Sequence, residues 1–175
     1  LDAFPGTFSI DSETSEAFVA AILSGLAQNG FRNLIILNGH GGPQTEINER
    51  VAETEAREQR VRTLVTNRCA IEDDITLDVF GDQGGHAGNN ETGYVQDIVP
   101  EHVHTDRYDP SMASARGNGW KAYPFPSSIV LYEEGDGYPK FDQQQADEYF
   151  RRVNARMTEL ISTTVERWDR ARLSR

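Results

Sequence analysis

Two histidines in this chain of 175 residues sit in glycine-rich loops, a setting in which an imidazole can do chemistry. His40 lies within Asn38-Gly39-His40-Gly41-Gly42. His86 lies within Gly84-Gly85-His86-Ala87-Gly88, and the carboxylate of Glu91 follows it closely. Imidazole changes charge near neutral pH and ligates metals, so either histidine could hold a cation or move a proton. Glycine loses more backbone entropy on folding than any other residue, so paired glycines mark places where the chain turns sharply or approaches something closely. One such histidine could simply hydrogen-bond to its own turn. Two glycine loops of this kind in one small chain are harder to assign to packing alone.

Elements of regular structure must aim these loops. Leu34-Ile35-Ile36-Leu37 runs into the first loop, and a short apolar run bounded by turn residues reads as a buried strand of a parallel sheet. The carboxyl ends of such strands are where open α/β sheets place their ligands. Before it, Asp11 and Ser12 cap a helix that runs to about Asn29 and stops at Gly30, with Phe18, Val19, Ile22, Leu23 and Leu26 as its apolar stripe. After it, a helix over 44–59 turns Ile47, Val51 and Ala52 inward, and the β-branched run 61–66 forms the next strand. Strand, helix and strand in that order imply a right-handed crossover and a parallel pair. Glu91 opens a short helix over 91–98 that ends before Pro100. Residues 127–132 form a short strand. Asp142 caps the last helix, over 143–170, whose stripe of Tyr149, Phe150, Val153, Met157, Leu160, Ile161 and Val165 reads as core packing, with part of it, at this length, open to contact with another subunit. The fold class is α/β: a three-layer α/β/α arrangement with a mostly parallel central sheet, in a single domain over 1–175.

Composition narrows the classes of function. The formal net charge of −11 argues against a nucleic-acid groove, which needs clustered Lys and Arg. No apolar run approaches the roughly 20 residues that span a bilayer. The single Cys69 excludes an internal disulfide and reads as a small buried residue, which favours the cytoplasm. Neither a Gly-x-Ser-x-Gly elbow nor a phosphate loop of the Walker type is present, which disfavours a serine hydrolase or a nucleotidase.

In order and spacing, Phe4-Pro5-Gly6-Thr7 with Ser9, Asn38-Gly39-His40-Gly41-Gly42, and Gly85-His86-Ala87-Gly88 with Glu91-Thr92 resemble the creatininase (creatinine amidohydrolase) family. The resemblance implies a metal-dependent amidohydrolase that cleaves an amide C–N bond of a small molecule, creatinine-like or formamide-like, with a metal-bridged hydroxide. It implies that His40 and Glu91 are ligands of a dinuclear zinc or manganese centre, and that His86 is the catalytic residue that carries a proton to the leaving nitrogen. It further implies a homo-oligomer, a hexamer in this family. The chemistry suits the residue types: zinc and manganese take imidazole and carboxylate ligands, two metals can share a hydroxide, and a histidine can protonate an amine.

The chain also departs from the family pattern. The family carries a Glu-x-His pair and a bridging Asp upstream of the Phe-Pro-Gly-Thr segment, whereas this chain has no Glu-x-His pair and begins at Leu1. The expectation is that an N-terminal metal-ligand segment is missing and that the chain alone is inactive. Gly42 stands where some members have a Glu. A rival class is a non-catalytic binding or assembly subunit with an incomplete metal site. A third is a small-molecule binder whose glycine loops cradle an anion through backbone amides.

Several other residues invite a role. His102 and His104 could grip a metal from one side of a strand, but they follow a helix into a loop and read as surface residues. Asp82 is the carboxylate nearest His86 that could orient it. Asn38 and Asn90 could orient ligands or satisfy turn backbone. The segment 103–127, with Trp120, Tyr123 and Phe125, is either a loop that its rings anchor to the core or a flap over the site. Asp136, between two glycines, fits turn chemistry better than a calcium loop.

Overall fold

The computed structural model of the chain describes residues 4–42, 44–116 and 119–173, and its helices and strands alternate as an α/β chain should. The chain divides into two compact units: Ser9–Ile71 with Ala155–Arg175, and Leu1–Phe8 with Glu72–Asn154.

In the unit that holds His40, α1 (Ser12–Gln28) starts where the side chain of Asp11 accepts the Thr14 backbone N–H at 2.8 Å. That bond and a second from the Thr14 hydroxyl hold the Asp11 carboxyl below the usual carboxylate range. The helix ends before Gly30, at φ +92°. β1 (Asn33–Asn38), α2 (Gln44–Glu58) and β2 (Arg62–Asn67) follow, and the two strands pair in parallel from Asn33↔Arg62 to Asn38↔Asn67. Leu23 and Ala27 of α1, Leu34 of β1, and Ile47, Val51 and Ala52 of α2 close one core together with Val61. Truncating a buried leucine such as Leu23 to alanine costs about 2–5 kcal/mol.

Two expectations change here. Leu23 of the α1 stripe is buried and Val19 is partly buried against the same core, but Phe18, Ile22 and Leu26 are exposed, because they recur every four residues along a neighbouring face. β1 is not buried on both faces: Leu34 and Asn38 are inside, whereas Leu37 is 63% exposed. A one-turn helix, α3 (Arg68–Ile71), follows β2. Arg62 pairs with Asp169 at 2.6 Å and lies 6.0 Å from the centre of the Trp168 ring, tying the end of the last helix to β2.

The second unit begins with α4 (Asp73–Phe80), which stops at Gly81 in the left-handed region. β3 (Gly85–His86) and α5 (Asn89–Ile98) follow, then three single 3₁₀ turns between Pro100 and Met112, β4 (Ala113–Ala115) and β5 (Ile129–Leu131). The strand order is β3-β5-β4, antiparallel and then parallel. The last helix, α6 (Gln143–Arg170), is capped by Asp142, which accepts Gln145 N–H at 3.0 Å as expected. Its first half packs Tyr149 and Val153 on Ile75 and Phe80. The Phe80 and Tyr149 ring centres are 5.0 Å apart, and the Tyr149 hydroxyl meets Thr76 at 3.3 Å.

The described part of 103–127 is more structured than a bare loop, with two 3₁₀ turns and β4 within it. Trp120 stacks on Phe125 with ring centres 6.0 Å apart, while Tyr123 is 86% exposed and anchors nothing. Among the described residues no helix is long and apolar enough to cross a membrane.

Candidate functional site

The strand β3 carries His86, and its glycines have a steric reason. A Cβ on Gly85 would lie 2.6 Å from the Val130 carbonyl oxygen of β5. On Gly88 it would lie 2.8 Å from the Gly85 nitrogen and 2.9 Å from the Gly137 carbonyl oxygen. Gly137, at φ +84°, comes as close to Gln83 from the other side, and its carbonyl accepts Asn89 N–H at 2.8 Å. Three stretches of backbone thus meet without side chains between them, and the imidazole of His86 rides on that platform.

α5 begins at Asn89, two residues earlier than the sequence reading, so Glu91 falls inside its first turn. There a carboxylate is favoured by the exposed N–H groups of the helix end. Its Oε2 accepts Ala87 N–H at 2.8 Å and lies 3.8 Å from His86 Nδ1. That separation is too long for a hydrogen bond but is an ion-pair distance when the imidazole is protonated. Both side chains are about a quarter to a third exposed, so the pair is open to a ligand. The helix start is fixed from below by Asn90. Its Oδ1 accepts Gly85 N–H at 3.0 Å, and its Nδ2 donates to Glu72 Oε1 at 3.1 Å, both in the interior. The Asn90 side chain therefore serves turn backbone, one of the two roles left open for it.

Asp82 does not take the orienting role considered for it. Its carboxylate pairs with Lys140 at 2.9 Å and with the amide of Asn89, while Glu91 supplies the carboxylate beside His86. Asp136 lies in a turn, its N–H donating to the Glu133 carbonyl at 3.4 Å, while its carboxylate accepts Gln83 N–H, distant along the chain, at 3.3 Å. His102 and His104 are exposed, as read, but they line a cavity of about 440 Å³ that Glu91 also borders.

His40 belongs to the other unit. Asn38 folds its loop: Asn38 Oδ1 accepts His40 N–H at 3.3 Å, and Asn38 Nδ2 donates to the His40 carbonyl at 2.8 Å. Gly42 leaves room for the imidazole, since a Cβ there would lie 3.0 Å from the ring. Cys69 is partly buried and meets the loop at Gly41, where an added Cβ would lie 3.3 Å from its sulfur.

The metal pair implied by the resemblance needs several donors at once. Among the described residues no three His, Cys, Asp or Glu side chains gather closely enough to hold an ion. These residues therefore do not by themselves fit a catalytic zinc site, which takes three protein ligands.

The family model described as creatininase, creatinine amidohydrolase, matches residues 1–161. The chain belongs to the creatininase family. Two solved structures of creatininase, with phenylalanine and alanine replacing one tryptophan, superpose at TM-scores of 0.73 and 0.69. Each is 19% identical to this chain, and the match covers 93% of it and 68% of theirs, a likeness that establishes a creatininase fold. No curated protein matches the chain. Membership in the creatininase family supports an amidohydrolase-type function.

Proposed function

We propose that this chain hydrolyses an amide C–N bond, non-peptide or cyclic, in a small molecule of the creatinine or formamide type. The observation that carries the reading is the pair His86 and Glu91, 3.8 Å apart on a backbone platform that admits no side chains, within a chain of the creatininase family. His86 carries a proton to the departing nitrogen, because an imidazole can both take and give one. Glu91, its own Oε2 fixed by Ala87 N–H, lies at ion-pair distance from that ring once it is protonated.

Dependence on zinc or manganese, in a dinuclear site with His40 and Glu91 among its ligands, is part of the same proposal. So are a homo-oligomeric state, hexameric by family resemblance, and a place in the cytoplasm. The rival reading, a binding or assembly subunit, draws on the lack of a three-donor group among the described residues.

The test is turnover of creatinine and of simple formamides by the wild type and by His86→Ala, each with metal content measured. Near two equivalents of metal and a drop of about 10²–10⁴-fold in the variant support the enzyme. A wild-type rate in the variant, with metal retained, removes the role of His86. No metal at saturating supply favours the binding subunit.

A further inference from the structure

The cavity beside Glu91 has a chemical character that the hydrolytic reading does not use. Val95, Val103, Met112 and Phe141 give it apolar walls. The ring of Tyr108 stands edge-on to that of Phe141, with centres 5.1 Å apart, so this wall is braced. Burial is the chief cause that pushes the Tyr108 phenol above its ordinary range, so it stays an O–H donor at neutral pH.

One side of the cavity is basic. His102, His104 and Arg107 come from one short stretch of a chain whose formal net charge is −11, and all three line the space. Among the described residues the Arg107 side chain makes neither hydrogen bond nor ion pair. The neighbouring carboxylate, Asp109, is turned onto the Ser111 N–H at 2.9 Å and is held ionised there. A guanidinium with its planar fork of donors unspent is suited to a carboxylate, which it can hold by two parallel bonds. Glu91, on the same cavity, repels that group and leaves one orientation for a bound molecule.

We infer that this cavity selects a small amide bearing a carboxylate, with the acid on Arg107 and the amide directed at Glu91. The amide half of this inference rests on the hydrolytic reading above, and the acid half rests on the cavity alone. The probes are N-benzoylglycine and its neutral counterpart N-benzoylglycinamide, titrated calorimetrically into the wild type, Arg107→Ala and Arg107→Lys. The acid should bind about tenfold or more tighter than the neutral amide. That preference should fall to near parity in Arg107→Ala and return only in part in Arg107→Lys, which keeps the charge but not the fork. Equal binding of the two probes, binding of neither, or an unchanged preference in Arg107→Ala would overturn the inference. A chain that prefers the acid but cleaves no amide upholds the acid pocket while removing the hydrolytic reading. Cleavage without the preference overturns the acid pocket alone.

Discussion

Replacing Asn90 by alanine should unseat the His86 platform, at a cost that the geometry sets. The orientation of the Asn90 amide is not free, because Gly85 N–H can only donate and the Glu72 carboxylate, when ionised, can only accept. Truncation strands both partners in the interior, where Glu72 is fully buried. A buried donor left without a partner costs about 1–3 kcal/mol, and a hydrogen bond to a charged group contributes about 1.5–3 kcal/mol. Some relief comes from other contacts of Glu72 and from water entering the gap, so the expected loss is about 3 kcal/mol. In urea unfolding, with a slope of about 1–3 kcal/mol/M for a protein of this size, the midpoint should fall by about 1–3 M. Asn90→Asp is the sharper comparison. It keeps the acceptor for Gly85 but removes the donor to Glu72, so it should recover only part of the Asn90→Ala loss. A loss below about 0.5 kcal/mol in Asn90→Ala would refute the argument that this amide holds the loop.

Three further outcomes are expected. Gly137→Ala and Gly135→Ala both force alanine to a positive φ, but only at Gly137 does backbone crowd the new Cβ. Unfolding should therefore show about 1 kcal/mol of destabilisation at Gly135 and clearly more, about 2–4 kcal/mol, at Gly137; equal losses would discount the close approach. Asp97 has its carboxyl raised above its usual range, by burial first and by the nearby Asp147 second. The folded state therefore binds that proton more tightly than the unfolded one, and this contribution to stability falls as pH rises through the carboxylate range. Asp97→Asn should gain stability at pH 7, by less than about 1 kcal/mol at this partly solvated site, and the gain should vanish in acid, as thermal unfolding against pH would show. Phe18→Glu, on the exposed α1 face, should change stability by no more than about 0.5 kcal/mol in chemical unfolding; a larger loss would show that Phe18 is packed rather than exposed.

Much of the fold is legible in the sequence where periodicity is long and ends are marked. α1 is bounded by Asp11 and Gly30 and α6 opens at Asp142, α2 shows in its inward residues Ile47, Val51 and Ala52, and β1 and β2 show in their apolar and β-branched runs. The helix α4 is hidden because Asp73, Asp74 and Asp78 dominate its composition, although Ile75, Val79 and Phe80 carry its inward face. β4 is hidden because Ala113-Ser114-Ala115 has no β-branched residue, and tertiary pairing alone makes it a strand. The neighbourhood of His86 and Glu91 could be read, since a loop histidine and a carboxylate in the next helical turn must lie close together. The bond from Asn90 to Glu72 could not, because its partner is an interior acid 18 residues earlier in the chain. The exposed histidines at 102 and 104 carry no periodic signal that would reveal the cavity they line.

Where three backbones touch around Gly85, Gly88 and Gly137, the molecule leaves almost no latitude for change. A library randomised over 84–88 would return mostly chains that cannot close the platform, whatever their chemistry. The stretch that bears His102, His104 and Arg107 is under no such steric constraint, so variation there can retune what enters the cavity while the part that carries His86 stays as it is. On the proposed reading, the groups that admit a substrate and those that react with it lie on separate pieces of chain, and directed evolution for a new substrate should start with the former.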